Sequence, residues 1–198
     1  MNIFYLDNDV KLCAEMHNDK HCVKMILEYA QLLSTAHRIL DGVLTDGFSK
    51  SGRKAKRYIL SNHRDAVLYT ATHANHPSAV WARRSRDNYE WLWKLLNALC
   101  KEYSFRYEKT HKVERDGLLE ELRFVPSGIA EHPRFTEPTP AMPDEYKVSG
   151  NSVASYRSYY INSKSHLAKW KNRQIPKWYQ EGCLQKMVDI NQELGLYA

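Results

Sequence analysis

No apolar run in this 198-residue chain approaches the roughly 18 residues that a membrane-spanning helix needs. A transmembrane protein is therefore not expected. Its four cysteines, Cys13, Cys22, Cys100 and Cys183, include no CxxC pair and no zinc-ribbon spacing. That excludes a disulfide framework and a thiolate metal site, and reduced, mostly buried thiols are expected. The first residues, Met1-Asn2-Ile3-Phe4-Tyr5, reach Asp7 and Asp9 before any basic cluster, so the charged and long apolar regions of a secretory leader are lacking and a cytoplasmic location is expected. Repeats and low-complexity tracts are lacking too. What is plentiful is apolar and aromatic material, 43% and 12% of residues, enough to argue against disorder and for one globular domain.

Lys and Arg outnumber Asp and Glu by 29 to 23, a formal charge of +6 that weakly favours polyanionic partners. Position sharpens this bias. Arg53, Lys54, Lys56 and Arg57 form one cluster, Arg83, Arg84 and Arg86 a second, and Lys164, Lys169, Lys171, Arg173 and Lys177 a third. Trp170, Trp178 and Tyr179 interleave the third, pairing phosphate-seeking cations with rings that can stack on bases. The plainer alternative is that these rings anchor the C-terminal segment while the charges face solvent. Taken together, the clusters point to nucleic acid as the partner.

The stretch from Cys13 to Thr35 reads as one helix, capped by Asp7 or Asp9 and running to about Leu40. At roughly 100° per residue, His17, His21, Lys24, Glu28, Gln31 and Thr35 fall within a sector of about 80°. Two imidazoles, an amine and a carboxylate in one row can do acid–base chemistry, whereas a merely solvated face is mostly Lys and Glu. Leu12, Met16, Val23, Ile26, Leu27, Ala30 and Leu33 form the opposite, core-facing stripe.

Residues 42 to 57 carry glycines and the first basic cluster and read as a cationic loop. Helix is expected from Ser61 to about Thr72, and from Ser78 to Tyr107 with Pro77 as its first residue and a bend near Ser85-Arg86-Asp87. His73 and His76 would cap that helix or touch phosphate. A shorter helix is expected around Val113 to Phe124, then Pro126, Pro133, Pro138, Pro140 and Pro143 rule out regular helix and leave an ordered wrap or lid. Ser152 to about Lys171 and Lys177 to Leu194 complete an all-α reading: a single compact helical domain with a long proline-rich loop.

The helix from His17 to Leu33, with its basic residues and Glu before a Gln-Leu-Leu end, resembles that of the pyrimidine-dimer DNA glycosylases of the phage endonuclease V type. So do Asn75-His76-Pro77 leading to Val80-Trp81, the aromatic helix through Trp91 to Tyr107, and Pro-Lys-Trp-Tyr near Lys177. The chain is also similar to phage proteins that carry the same label by distant similarity. The resemblance implies a compact helical enzyme, in the host cytoplasm if phage-encoded, that flips a nucleotide, attacks the sugar C1′ with an amine and uses a carboxylate to support Schiff-base formation and strand cleavage. It implies Glu28 as that carboxylate, with His17, Lys24 and the arginines of the second cluster holding phosphate. In the phage enzymes the amine belongs to a small residue exposed by removal of Met1; here residue two is Asn2, and Lys20 or Lys24 is the substitute amine.

The candidate catalytic residues are thus His17, His21, Lys24 and Glu28. The candidate DNA-binding residues are Arg53, Lys54, Lys56, Arg57, His76, Arg83, Arg84, Arg86, Lys169, Trp170, Lys171 and Arg173, with Trp81 a further stacking group whose plainer role is core packing. Base-directed chemistry of this kind needs extrusion, a cationic groove and a carboxylate, and calls for no cofactor. One rival reading is a metal site using His17, His21 and Glu28 with His63, His73 or His76, but Asn18 stands where an HExxH motif has Glu. Others keep the DNA grip and change the outcome: a transferase that modifies a flipped phage base, or a non-enzymatic DNA-binding or host-interaction protein.

Overall fold

Two capping side chains decide how the chain starts. In the computed structural model, which describes residues 1–48 and 52–194, Asp9 accepts hydrogen bonds from the backbone N–H groups of Lys11 and Leu12 and opens α1 (Val10–Met16). Asn18 accepts one from His21 N–H and opens α2 (Asp19–Asp41). An asparagine that caps one helix offers the backbone an alternative to any ladder running through it. The single helix expected from Cys13 to Thr35 is therefore interrupted at His17 and Asn18, both extended, and His17 leaves the row that His21, Lys24 and Glu28 keep. The buried face of α2 also differs from the expected stripe: Cys22, Met25, Ile26, Tyr29, Ala30 and Leu33 are buried, while Val23 and Leu27 are exposed.

Residues 42 to 57 are not simply a loop. β1 (Val43–Phe48) and β2 (Lys54–Ile59) form an antiparallel hairpin, with Val43 opposite Ile59 and Asp46 opposite Lys56. Of the described residues 54% are helical and one small sheet is present, so the fold is mostly helical rather than all-α. Arg38 fastens the hairpin to α2: its Nη1 donates to Tyr58 O at 2.8 Å and to Asp65 Oδ1 at 2.7 Å, and its Nε donates to Tyr69 O at 2.6 Å. Between Ser61 and Thr72 only α3 (Arg64–Val67) is helical, since Arg38 draws the carbonyls of Leu68 and Tyr69 to itself.

Pro77 opens α4 (Pro77–Ala82), with His76 accepting from Ser78 N–H as cap. The bend expected near Ser85 is a full break, because the Ser85 hydroxyl caps α5 (Arg86–Tyr107). Gly117, at φ +80°, splits the next helix into α6 (Lys112–Arg115) and α7 (Leu118–Glu121), a conformation glycine adopts without strain. The proline-rich segment is an ordered strap. Trp81 Nε1 donates to Thr136 O at 3.0 Å, and Tyr156 Oη donates to Thr139 O at 3.2 Å. α8 (Ser152–Asn162) stops nine residues short of Lys171, followed by a 3₁₀ turn at Ser165–Leu167 and then α9 (Lys177–Glu193).

α2 and α5 carry the centre of the core. The extended residues Ile3 to Leu6 thread through it, at most 4% exposed. Phe4 N–H donates to Tyr29 Oη at 3.0 Å, which fixes the start of the chain beside the N-terminal half of α2.

Candidate functional site

Where residues 1–6, the first turns of α2 and the end of α8 meet, they leave an open cleft of about 350 Å³. Lys20, His21, Lys24 and Glu28 line it from α2, and Tyr159, Lys164 and His166 line it from the opposite wall, over a floor that includes Phe4, Met25 and Leu167. The size is that of a small-molecule site at the low end of the usual range. Lys24 Nζ lies 3.0 Å from Glu28 Oε1, with the lysine side chain 60% exposed and the carboxylate 14%. Lys164 Nζ sits 4.6 Å from the Tyr159 ring centroid, a cation–π contact that holds it on the wall. One carboxylate therefore faces three lysines across an open mouth.

His21 is the best-defined group in the cleft. Its ring stacks on Phe4 at 4.1 Å, its Nδ1 lies 2.6 Å from Tyr160 Oη, and the same Nδ1 lies 3.3 Å from Asn18 Nδ2. Burial, then the positive charges of His17, Lys164, Lys24 and His166, push its pKa down to about 3. The ring is neutral whenever the protein is folded near neutrality.

His17 is placed differently. It is wholly buried, Nδ1 donates to Cys13 O at 2.7 Å, and Nε2 accepts from Tyr29 Oη at 3.1 Å. Burial lowers its pKa to about 4. With both ring nitrogens occupied, it reaches neither phosphate nor a shared metal with His21; its work is to hold Tyr29, and through Tyr29 the backbone at Phe4. Among the described residues no three His, Cys, Asp or Glu side chains are grouped as metal ligands.

The DNA-binding candidates differ in exposure and in the contacts their side chains make. Arg53, Lys54 and Lys56 are exposed on the hairpin, and Arg84 is exposed after α4. Arg57 donates to Phe48 O at 3.0 Å and Arg83 to Ala74 O at 2.6 Å. Arg86 is 2.8 Å from Glu131 and 3.7 Å from Glu90. His76 caps α4 beside the cleft, where burial lowers its pKa and Glu28 acts in the opposite direction. Lys169 and Lys171 are exposed, but their backbones clamp Asp19: Lys169 O accepts from Asp19 N–H, and Lys171 N–H donates to its carboxylate, both at 2.8 Å. Trp170 is buried and donates to Met16 O at 2.9 Å, and Trp81 is buried under the strap. Neither ring is exposed for stacking on a base.

Arg173 belongs to a network absent from the sequence reading. It lies 2.8 Å from Glu102 and 3.3 Å from Glu15, while the buried Arg106 lies 2.6 Å from Glu102 and 3.0 Å from Asp19. Burial alone would raise the Glu102 pKa, but hydrogen bonds from both arginines outweigh it and hold the carboxyl below its ordinary value. A larger trough of about 760 Å³ lies between α8 and α9, but Arg157 within it is already tied to Asp7 at 3.3 Å and to Leu6 O. Sequence reasoning missed Phe4, Tyr159 and His166 in the cleft lining, and Asn18 and Tyr160 buried behind His21. Only Asn18 carried a local signal, an Asx residue before an acidic first turn. Comparison with protein families, with curated proteins and with solved structures finds no match to this chain.

Proposed function

We propose that the protein binds double-stranded DNA and acts on a nucleotide turned out of the helix into this cleft, as a DNA glycosylase with an accompanying lyase step. The observation that carries the reading is the Glu28 carboxylate set among Lys20, Lys24 and Lys164 at the mouth of a cleft sized for one base. Extrusion into a pocket is the general solution for chemistry on a base in a duplex. The resemblance to the pyrimidine-dimer glycosylases supports the same assignment of Glu28.

In this reading Lys24 passes a proton to Glu28 across their 3.0 Å contact, and the freed amine attacks C1′. The C1′–N bond breaks and the base leaves with the electron pair, taking the proton that Glu28 received and so restoring the carboxylate; the sugar ring then opens as O4′ takes a proton from the attached nitrogen, leaving an iminium on Lys24. Glu28 then accepts a proton from C2′, and elimination releases the 3′ phosphate. Lys20 and Lys164 hold the flanking phosphates.

The test is incubation with duplexes carrying damaged, modified or abasic nucleotides, with and without borohydride. A trapped protein–DNA adduct that disappears in Lys24→Ala, and product that disappears in Glu28→Gln while duplex binding persists, support the enzyme. No adduct and no base release on any substrate, with both variants changing only the salt dependence of binding, would leave a DNA-binding protein without catalysis.

A further inference from the structure

The cleft contains a donor whose polarity is set from behind. Asn18 uses its side-chain oxygen to accept from His21 N–H at 2.9 Å as the helix cap, which fixes which end of the amide is which. Its Nδ2 is then the group 3.3 Å from His21 Nδ1, and an amide NH₂ can only donate. Tyr160 Oη lies 2.6 Å from the same ring nitrogen, and with the Asn18 amide already donating there the hydroxyl turns its own hydrogen toward it as well. Nδ1 is therefore the acceptor and the ring hydrogen sits on Nε2. That nitrogen has no protein partner among the described residues, and the ring lines the cleft.

We propose that His21 is a neutral Nε2–H donor that selects the occupant of the cleft, taking a base that presents a ring carbonyl oxygen and rejecting one that presents an amino group at that point. This rests on the reading of the cleft as a nucleotide site, and adds to it the kind of base admitted. Lys20 and Lys164, which would hold phosphate, line the cleft away from the ring, while beside His21 the lining is Phe4 and Met25. A donor in apolar surroundings favours an uncharged acceptor and penalises an opposing N–H, because a buried donor facing another donor leaves both unpaired. Sealed on its Nδ1 side, His21 has no other polar edge to offer.

Two measurements on the intact protein test this. Long-range ¹H–¹⁵N correlation spectra of the free protein should give His21 the signature of a protonated Nε2 and bare Nδ1. In Asn18→Asp, which keeps a good cap but replaces the donor with an acceptor, the ring hydrogen should move from Nε2 to Nδ1, leaving Nε2 bare. A protonated Nδ1 in the unaltered protein overturns the proposal. Second, duplexes with one bulged thymine or one bulged cytosine are titrated at fixed salt. Thymine should bind about tenfold more tightly, on the scale of one satisfied against one clashing hydrogen bond, and the preference should fall below about twofold in Asn18→Asp. Equal binding of the two overturns the selection with the tautomer intact, and failure to bind either duplex sinks the nucleotide reading and the selection together, leaving the spectrum to judge the tautomer alone.

Discussion

Two charged clusters of this molecule are built from similar side chains and behave in opposite ways. Around Glu102, two arginines meet three carboxylates, and Arg106 and Glu102 are nearly sealed, with side chains 0% and 3% exposed. Around Glu28, the carboxylate pairs with Lys24 in an open cleft whose lining also includes Lys20 and Lys164. The first cluster is saturated: its charges were taken out of water and are held there by mutual hydrogen bonds. The second is left with positive charge and open space, which is what an anionic ligand requires. The sign of the local charge matters less than whether it is already spent.

The same substitution in each cluster gives the largest contrast. Glu102→Gln leaves Arg106 and Arg173 short of a buried counter-charge, and breaking such a pair costs about 3 kcal/mol even with Asp19 remaining. Glu28→Gln removes one partner of an i,i+4 pair whose lysine is 60% exposed and whose carboxylate is 14% exposed, and should change stability by no more than about 1 kcal/mol. Urea unfolding of the two variants measures both. A large loss in Glu28→Gln would make the cleft pair structural and weaken its assignment to chemistry.

Protons give the next contrast. His17 and His37 are held at about 4 and His21 at about 3, burial being the first cause in each, against 6.5 for an ordinary histidine. The unfolded chain therefore binds more protons than the folded one below about pH 6.5, so stability falls as pH falls, by about 2 kcal/mol per histidine by pH 5. Glu102, held below its ordinary value, adds stability that is present above the unfolded carboxylate pKa and goes only at lower pH. Between pH 6.5 and 5 acid should thus loosen the residues behind the cleft and spare the Glu102 network. Urea midpoints across that window check the total, and amide exchange at Asn18–Cys22 against Glu102–Arg106 checks the order.

What sequence reading could reach follows from the range of each interaction. Asp9 as a cap, Pro77 as a first helical residue, the helix from Lys177 and the non-helical proline segment are local matters, and all are in the fold. The row His21, Lys24, Glu28 was legible because helical period alone sets it. His17 fell off that row because Asn18 caps α2, a signal that was present but outweighed by the longer apolar period. The hairpin was hidden because Lys54-Ala55-Lys56-Arg57 shows no apolar alternation, both of its faces being largely exposed. The bond from Arg173 to Glu102 spans 71 residues, and no period or spacing carries that information. Charge clusters read from sequence count cations without saying which have already found an acid.

A smaller effect tests the link between the sealed and open sides of the cleft. Tyr29 Oη accepts from Phe4 N–H and donates to His17, so Tyr29→Phe leaves a buried N–H and a buried ring nitrogen unpaired. The cost should be about 1–3 kcal/mol in urea unfolding. Since Phe4 stacks on His21, the same variant should also shift the His21 ring resonances. Unmoved resonances would separate His17 from the cleft altogether.

The smallest expected effect is also the most discriminating for the distinction between spent and unspent charge. Each cation that contacts a phosphate releases counterion when it binds, contributing about −0.9 to the slope of log K against log salt. Lys20 and Lys164 have no acid partner among the described residues, whereas Arg86 faces Glu131 and Glu90, and Arg173 faces Glu102 and Glu15. Lys20→Ala and Lys164→Ala should each make the slope for duplex binding shallower by about 1. Arg86→Ala should leave it nearly unchanged, because an arginine already paired with two carboxylates contacts no phosphate and so releases no cation condensed on the duplex. Arg86 lies on the surface, so its removal tests charge without the folding cost that Arg173→Ala would carry. If Arg86→Ala flattens the slope as much as Lys20→Ala does, DNA binding competes successfully with the protein's own acids, and proximity in sequence would be a better guide to the interface than pairing in space.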